Sequence, residues 1–129
     1  MAKFFLDLLQ IRPSQLYLDA AKIERLKQSF DPLNIRNNAP LPVRKIGGEV
    51  FLTDGHTRAY LYDQARISLI PVYWDENDLN DALYTRCLDW CRKEQIIFIS
   101  DLRERILSPA EYQKLWVNRC EEEERRLEQ

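Results

Sequence analysis

The residues best suited to chemistry in this 129-residue chain lie in one short segment, Thr53-Asp54-Gly55-His56-Thr57-Arg58. The segment holds the only histidine and one of the three glycines. An apolar run before it predicts a strand, and the residues after it predict a helix through Arg66. At such a junction a glycine permits close backbone approach, and the first N–H groups of the helix lack partners inside the helix. Because the helix dipole is positive at this end, the segment is typical of an anion site.

The side chains of the segment fit that chemistry. His56 and Arg58 supply donors, Arg58 can hold a phosphate with two parallel hydrogen bonds, and Thr57 adds a hydroxyl. A plainer interpretation makes Asp54 a helix N-cap and Gly55 a tight turn. It leaves His56 at the surface and Arg58 in an ion pair. The negative charge of Asp54 would repel an anion bound at the start of this helix. A bound Mg²⁺, or capping of the helix by Asp54 away from the phosphates, would relieve that repulsion.

The first 75 residues predict the elements that position this segment, in the order strand, helix, hairpin, helix, strand. Asp19 is the predicted N-cap of the first helix. Gly47-Gly48 predicts the turn of the hairpin. Pro71 indicates an edge strand, or a position where a backbone N–H is not needed. The strands are predicted at 4–11, 43–46, 49–52 and 69–74, the helices at 20–30 and up to residue 66, and the loops at 15–18 and 31–42.

The last third of the chain predicts helices. An apolar stripe at helical spacing runs from Leu79 to Cys91. A small helix is predicted to end near Leu107, and Ser108-Pro109-Ala110-Glu111 is a capping box that starts another. Residues 121–129 predict a solvated helix end. Strands followed by helices are typical of an α+β fold.

Composition narrows the classes of partner. Lysine and arginine number 19 and aspartate and glutamate 21, which gives a net charge of −2 and a pI of about 5.5. DNA-binding modules are usually basic, so a DNA partner is disfavoured, although a local basic patch stays open. No apolar run approaches the roughly 20 residues of a membrane span. Asp7 interrupts what would be a signal-peptide core, so we expect a cytoplasmic protein without a membrane partner.

Cysteine and aromatic residues of the C-terminal third each allow two interpretations. Three cysteines could join His56 as zinc ligands, but their spacing matches no common zinc signature, and packing between helices is preferred. The aromatic residues could stack on a nucleotide base, but core packing is preferred. No metal site is assigned. The residues are Cys87, Cys91 and Cys120, and Tyr84, Trp90, Tyr112 and Trp116.

Two charged groups near the predicted strands are also open to two interpretations. Arg12, Arg44 and Lys45 could extend a phosphate groove or simply solvate a strand face. Four acidic residues could bind a cation, but capping of the next helix is preferred. These acidic residues are Asp75, Glu76, Asp78 and Asp81.

The order of these motifs resembles the ParB/sulfiredoxin-like superfamily over about residues 3 to 75. The resemblance rests on Gln10–Tyr17, then a helix, a hairpin that ends in Thr53–Ala59, and Ile70-Pro71-Val72. It implies a ParB N-terminal-like domain, compact and α+β, with a small mixed sheet and a loop-to-helix turn that binds nucleotide phosphates. With it we expect residues 1–75 to form the nucleotide-binding domain and residues 76–129 a helical C-terminal extension packed on it.

The amino-acid sequence of this turn differs among the members of the superfamily. ParB proteins have Gly-Glu-Arg-Arg and bind CTP, sulfiredoxins have Gly-Cys-His-Arg and use ATP, and archaeal free-serine kinases have Asp-Gly-His-His-Arg and use ADP. Residues 54–58 (Asp-Gly-His-Thr-Arg) are most similar to the kinase form. Gly55 stands where sulfiredoxins have their catalytic cysteine. Gln15 stands where the kinases have a catalytic glutamate, and the double arginine of ParB is absent.

The resemblance implies a nucleotide-binding protein with ATP, ADP or CTP as the cofactor, together with Mg²⁺. It would act as a phosphotransferase toward a small-molecule phosphate acceptor, or as a nucleotide hydrolase. Asp54 and His56 are the candidate catalytic residues. The candidate nucleotide-binding residues are Gly55, His56, Thr57 and Arg58. Whether it is an enzyme stays open, because a non-catalytic ParB-like module that binds DNA or protein, or a scaffold without a ligand, also fits.

Overall fold

A four-stranded mixed sheet lies at the centre of the structure, a computed structural model that describes residues 2–129. Its strands are β1 (Phe4–Asp7), β3 (Leu41–Ile46), β4 (Glu49–Leu52) and β5 (Leu69–Trp74). They lie in the order β1-β5-β3-β4. β5 is antiparallel to β1 and parallel to β3, and β3 is antiparallel to β4. The predicted α+β class and the small mixed sheet are confirmed.

Short elements and five helices complete the fold. Two-residue strands β2 (Leu18–Asp19) and β6 (Ile106–Leu107) pair in parallel. The helices are α1 (Ala20–Lys27), α2 (His56–Gln64), α3 (Asp81–Lys93), α4 (Pro109–Tyr112) and α5 (Asn118–Leu127). Leu8–Gln10 and Ile99–Glu104 form 3-10 turns, and a π-helical turn at Gln113–Val117 joins α4 to α5. Among residues 2–129, no helix has the length and apolar character needed to cross a membrane.

The predicted hairpin is confirmed. Val43 pairs with Leu52 at one end of the β3–β4 ladder, and Ile46 pairs with Glu49 at the other. Gly47 and Gly48 have φ angles of 58° and 82°. Two successive positive φ angles are typical of the tight turns whose twist matches that of the flanking strands.

The N-terminal strand is shorter than predicted. It ends at Asp7, whose Oδ1 accepts a hydrogen bond of 2.9 Å from the N–H of Leu9 and so starts a 3-10 turn. The chain then crosses to the far side of the sheet. There the N–H of Arg12 donates to the carbonyl of Val50 at 2.8 Å, and the N–H of Leu52 donates to the carbonyl of Arg12 at 3.0 Å. The same N-terminal segment thus borders both edges of the sheet.

The prediction of β5 as an edge strand is wrong, because β5 lies between β1 and β3. The alternative interpretation, that Pro71 lies where no backbone N–H is needed, agrees with the structure. The N–H of Asp75 donates to the carbonyl of Val43 at 2.8 Å, so it faces β3. Since N–H groups alternate along a strand, the nitrogen of Pro71 faces the same side. β3 begins only at Leu41, which pairs with Val72, so no ladder bond is required of Pro71.

Several element boundaries differ from the predictions. α1 ends at Lys27, three residues before the predicted end, although its N-cap is Asp19 as expected, with Oδ1 accepting from the N–H of Ala21 at 2.9 Å. β2 lies where only a loop and a cap were predicted, and β3 includes two residues of the predicted loop. α3 is capped by Asn80, whose Oδ1 accepts from the N–H of Leu83 at 3.1 Å, so the acidic cluster does not supply the cap; of its members, Asp81 lies in the first turn of α3.

Two hydrophobic cores hold these elements together. The first lies against the central sheet and includes Val43, Leu52, Tyr62 and Val72. The second combines residues from both halves of the chain. Its N-terminal contributors are Leu16, Leu18, Ile23, Tyr60 and Leu61, and its C-terminal contributors are Cys87, Cys91, Ile96, Leu102 and Trp116. Residues 76–129 therefore share buried surface with the elements that carry the candidate site.

This shared core predicts that both halves unfold together. Leu102 has an exposed fraction of 0%, so Leu102→Ala leaves a cavity and is expected to lower the free energy of unfolding by about 2–5 kcal/mol. Circular dichroism and tryptophan fluorescence in urea should then report one coincident transition. Leu33→Ala, at a side chain 71% exposed, is the control and should change stability by less than about 0.5 kcal/mol. Two separate transitions would contradict the shared core.

Candidate functional site

The start of α2 lacks a side-chain cap. Gly55 is the N-cap residue, with φ 81°, and has no side chain to satisfy the first N–H groups. Asp54 does not cap the helix, because its Oδ1 accepts from the N–H of Gly55 at 2.8 Å. The first helical hydrogen bond runs from the N–H of Ala59 to the carbonyl of Gly55 at 3.0 Å. The N–H groups of His56, Thr57 and Arg58 remain free to donate to a ligand.

Arg58 folds back over this helix terminus. A Cβ added to Gly55 would lie 2.9 Å from Cδ2 of Leu41 and 3.0 Å from Nη2 of Arg58. The guanidinium therefore occupies the space directly beside the α-carbon of Gly55. It forms neither an ion pair nor a hydrogen bond with any of residues 2–129. An unpaired cation and unpartnered N–H groups thus lie together at the positive end of a helix dipole.

His56 is buried, with an exposed fraction of 3%. Its Nε2 accepts a hydrogen bond of 2.8 Å from the N–H of Ser14. Burial lowers the pKa of His56 from 6.5 to about 3, opposed by the charge of Asp54 and aided by that of Lys22. The ring is therefore neutral at pH 7 and carries its proton on Nδ1, which has no partner among the described residues. In this arrangement His56 positions the backbone and supplies no charge.

Ser14 connects three parts of the site, and the sequence alone did not single it out. Its hydroxyl donates to the carbonyl of Leu52 at 2.6 Å, while its N–H reaches His56. The segment before α1 is thereby attached to the end of β4 and to the first residue of α2. Ser14 and His56 are 42 positions apart, so no local pattern could have paired them.

The other two predicted site residues take different positions. Asp54 is exposed, and only its Oδ1 is engaged, by the N–H of Gly55. Thr57 is buried at the second residue of α2. The plainer interpretation fails at three points, since Asp54 is not the N-cap, His56 is not at the surface and Arg58 has no ion pair with the described residues. Its fourth point, a tight turn at Gly55, agrees with the positive φ angle.

Two tyrosines from the C-terminal helices bond to two different loops, the one that leads into α2 and the one that precedes β2. Tyr84 of α3 donates its hydroxyl to the carbonyl of Thr53 at 2.8 Å. Tyr112 of α4 accepts a hydrogen bond of 3.1 Å from Nε2 of Gln15. Burial, together with the smaller effect of the charges of Cys87 and Asp54, raises the pKa of Tyr84 to about 12. Burial also raises the pKa of Tyr112. Both hydroxyls keep their protons at neutral pH.

Thr53, at the start of the motif, is held from a second direction. Its hydroxyl donates to Oδ2 of Asp75 at 2.6 Å, and Oδ1 of Asp75 accepts from the N–H of Asn77 at 3.0 Å. Hydrogen bonds from Thr53 and Asn77 outweigh the effect of burial and lower the pKa of Asp75. The loop that leads into α2 is therefore fixed by hydrogen bonds to both the carbonyl and the side chain of Thr53.

The remaining candidate residues lie outside the start of α2. Trp116 is buried in the second core and packs edge-on against Trp90 at 6.0 Å between ring centroids, as the core interpretation predicted. Cys87 and Cys91 are buried there too, and burial raises the pKa of Cys91 to about 12. Within residues 2–129 no group of three or more His, Cys, Asp or Glu side chains has metal-binding geometry.

Two of the three basic residues near the strands form ion pairs. Arg12 pairs with Glu49 at 3.0 Å, and Arg44 pairs with Asp81 at 3.3 Å. Lys45 is exposed on β3. Arg12 and Arg44 therefore have carboxylate partners of their own, whereas Lys45 makes no ion pair with residues 2–129.

No family model matches the chain, and no curated protein matches it. Among solved structures it is similar to sulfiredoxin from Arabidopsis thaliana, with a TM-score of 0.49 and 17% identity, over 68% of this chain and 98% of the sulfiredoxin. It is also similar to protein Atu1540 from Agrobacterium tumefaciens, with a TM-score of 0.47 and 12% identity, over 76% of this chain and 50% of that protein. The chain thus spans half the length of the Agrobacterium protein, and neither likeness assigns a role to a residue here.

The geometry at Gly55 predicts that this position tolerates only glycine. Gly55→Ala combines an unfavourable φ angle with contacts to Leu41 and Arg58, and should cost about 1–3 kcal/mol of stability. Gly48→Ala is the matched control, because Gly48 has φ +82° but nothing within 4 Å of an added Cβ. Urea unfolding of both variants measures the difference. Equal losses would mean that the contacts at Gly55 contribute nothing.

Burial of neutral His56 predicts a pH-dependent stability. Below pH 6.5 the unfolded chain binds a proton at this residue, whereas the folded chain does not until its pKa of about 3 is approached. Stability present above pH 6.5 is therefore lost as the pH falls, with a slope that approaches about 1.4 kcal/mol per pH unit. Urea unfolding at several pH values between 7 and about 5 measures it, above the range where most carboxylates titrate.

His56→Gln is the control for this slope, because a glutamine offers Ser14 an acceptor and does not titrate. That variant should lose the histidine part of the pH dependence. An NMR titration of the His56 ring gives an independent check. A midpoint near pH 6.5 in the folded protein would contradict the prediction that His56 is buried and neutral.

Proposed function

We propose that this protein is a member of the ParB/sulfiredoxin-like superfamily and binds the phosphates of a nucleotide at the start of α2. The observation that carries the proposal is the unpaired guanidinium of Arg58 beside the uncapped N–H groups of the helix. Many of the other arginines have carboxylate partners, as Arg12 and Arg44 do. A free cation at a helix N-terminus has the charge and the donors that a phosphate requires.

Each residue of the motif has a place in this proposal. Gly55 leaves room for the Arg58 guanidinium to fold over the helix start, and the N–H groups that follow it would donate to the phosphate oxygens. Arg58 supplies the positive charge and Thr57 a hydroxyl. His56 positions the helix start through Ser14, and its unpartnered Nδ1 proton marks a buried donor at the same place. ATP, ADP and CTP all present the polyphosphate that these groups would hold.

Turnover is a further step of the proposal. Asp54 is the one carboxylate within the motif, and its Oδ2 makes no hydrogen bond or ion pair with residues 2–129. It would hold Mg²⁺ or accept a proton from a small-molecule hydroxyl or from water. Catalysis would otherwise consist of positioning and charge neutralisation, as in phosphoryl transfer generally.

Gln15 favours the alternative of binding without turnover. Its Nε2 donates to the carbonyl of Tyr17 at 2.9 Å and to Tyr112 at 3.1 Å, so the amide is committed to structural bonds. It cannot accept a proton as a carboxylate does. A non-catalytic module that responds to a nucleotide by changing its contacts with a partner protein or DNA is the second candidate function.

The first experiment is calorimetry and thermal shift with ATP, ADP, CTP and GTP, each with and without Mg²⁺. A ligand at a hundred times its Kd stabilises the folded state by about 2.7 kcal/mol. Arg58→Ala removes a charged contact and should weaken the tightest nucleotide by roughly 10- to 100-fold.

Arg25→Ala is the matched control for Arg58→Ala, since Arg25 is an exposed cation on α1 that has no ion pair with the described residues. It should bind nucleotide as the natural chain does. Equal losses in both variants would indicate nonspecific attraction. No shift with any nucleotide, in a protein shown to be folded, would overturn the proposal.

A further inference from the structure

Two cysteines lie on neighbouring helices of the C-terminal part of the chain. Cys87 is on α3 and Cys120 is on α5, and both thiols are free. Cys87 is buried, with an exposed fraction of 4%, whereas Cys120 is partly exposed. Both side chains belong to the second core. The proposed function uses neither of them, so a pair of nucleophilic groups is left without a role.

Contacts on either side of the two cysteines fix how α3 and α5 pack. Nε of Arg86 on α3 lies 3.2 Å from Oε2 of Glu123 on α5. Further along α3, the ring centroid of Trp90 lies 4.1 Å from the guanidinium carbon of Arg119, which precedes Glu123 on α5. The contacts therefore advance along α3 while they go back along α5. The two helices are antiparallel, with these two contacts in register.

Cys87 and Cys120 lie between these two contacts. Cys87 directly follows Arg86, and Cys120 directly follows Arg119. Each cysteine thus holds the same place in its own helix, just after one contact residue and less than one turn before the other. Because a two-fold axis relates the members of an antiparallel helix pair, equivalent places lie on the same side of the contact between them. The packing therefore makes the two thiols neighbours across the α3–α5 contact.

The electrostatics of the pair agree with this packing and distinguish its two members. A hydrogen bond with Cys87 and the charge of Arg119 lower the pKa of the Cys120 thiol, against the effect of burial. The same hydrogen bond and burial raise the pKa of Cys87. The thiolate is the form that reacts with oxidants, and partial exposure admits a small oxidant. Cys120 is therefore the thiol suited to be oxidised first.

We infer that Cys87 and Cys120 are a redox-sensitive pair, which hydrogen peroxide converts into a disulfide between α3 and α5. The Cys120 thiolate attacks one peroxide oxygen, the O–O bond breaks, and the leaving hydroxide takes up a proton to give water. Cys120 is then a sulfenic acid. The sulfur of Cys87 attacks that of Cys120, the S–O bond breaks, and the hydroxide leaves as water with the thiol proton of Cys87. Two thiols are thereby oxidised, and one peroxide is reduced to two molecules of water.

The disulfide would tie the end of the chain to a helix that supports the candidate site. Tyr84, on α3 with Cys87, donates its hydroxyl to the carbonyl of Thr53 in the loop before α2. A thiol reductant would reverse the tie, since disulfides are broken by attack of a thiolate. The inference does not depend on the proposed function.

The test is oxidation of the folded full chain with hydrogen peroxide, followed by two-step alkylation. Free thiols are blocked in denaturant with one reagent, and thiols released by reduction are then labelled with a heavier one. Fragment-ion mass spectra should place the heavy label on Cys87 and Cys120 and the first label on Cys91. The number of free thiols should fall from three to one, and dithiothreitol should restore all three.

Serine variants assign the two steps to the two sulfurs. Cys91→Ser is the matched control, because Cys91 is as buried as Cys87 and lies in the same core, and this variant should lose both of its remaining thiols. Cys87→Ser should form no disulfide and should keep a sulfenic acid at Cys120 that dimedone traps. Cys120→Ser should keep both buried thiols reduced. The labelling of the natural chain decides the case if a variant fails to fold.

Three results would overturn the inference. They are a heavy label on Cys91, a disulfide that joins two chains on non-reducing electrophoresis, and three thiols that stay reduced in the folded protein. Each readout is the oxidation state of a thiol, so it is independent of whether the chain binds a nucleotide. Failure of the proposed function therefore leaves this test unaffected.

Discussion

The hydrogen bond from the N–H of Ser14 to Nε2 of His56 is the contact on which the candidate site depends. The bond is buried, so water does not compete for its donor or its acceptor. Its loss would leave one of these groups unsatisfied and lower the free energy of unfolding by about 1–3 kcal/mol. Through it the segment that crosses the sheet is attached to the first residue of α2. The residue after Ser14, Gln15, in turn donates to Tyr112 of α4 at 3.1 Å. A neutral histidine suits the place because a charged one could not accept the bond at Nε2.

Charge is distributed unevenly over the molecule. Carboxylates hold many of the arginines in surface pairs, for example Arg92 with Glu49 and Arg103 with Asp63. Such pairs are exposed and contribute little to stability. Arg58, half-buried beside Gly55, has no partner among the described residues. The electrostatics of the site therefore come from one cation and a helix terminus rather than from a broadly basic surface, which is consistent with a net charge of −2.

Local signals in the sequence predicted those features that depend on neighbouring residues. The Gly47-Gly48 turn, the Asp19 cap and the glycine that begins α2 all follow from backbone preferences within a few positions. Features that depend on distant contacts were missed. The pairing of β2 with β6 and the bond between Gln15 and Tyr112 join opposite ends of the chain, the latter across 97 positions. That the motif binds phosphate stays a prediction. The buried bond of His56 to Ser14 could not be predicted, because it joins residues 42 positions apart.

The parallel pairing of β2 with β6 has a consequence for the order in which the chain folds. β2 is made early in synthesis, whereas β6 and α4 emerge only near the end of the described chain. Until then Leu16 and Leu18 lack the C-terminal side chains that bury them, and contacts so distant in sequence form slowly. A nascent chain that holds only the motif and its sheet would expose this apolar surface and be prone to aggregation, with chaperones the usual remedy. Completion of the second core would therefore be the last event in folding, after the sheet has formed.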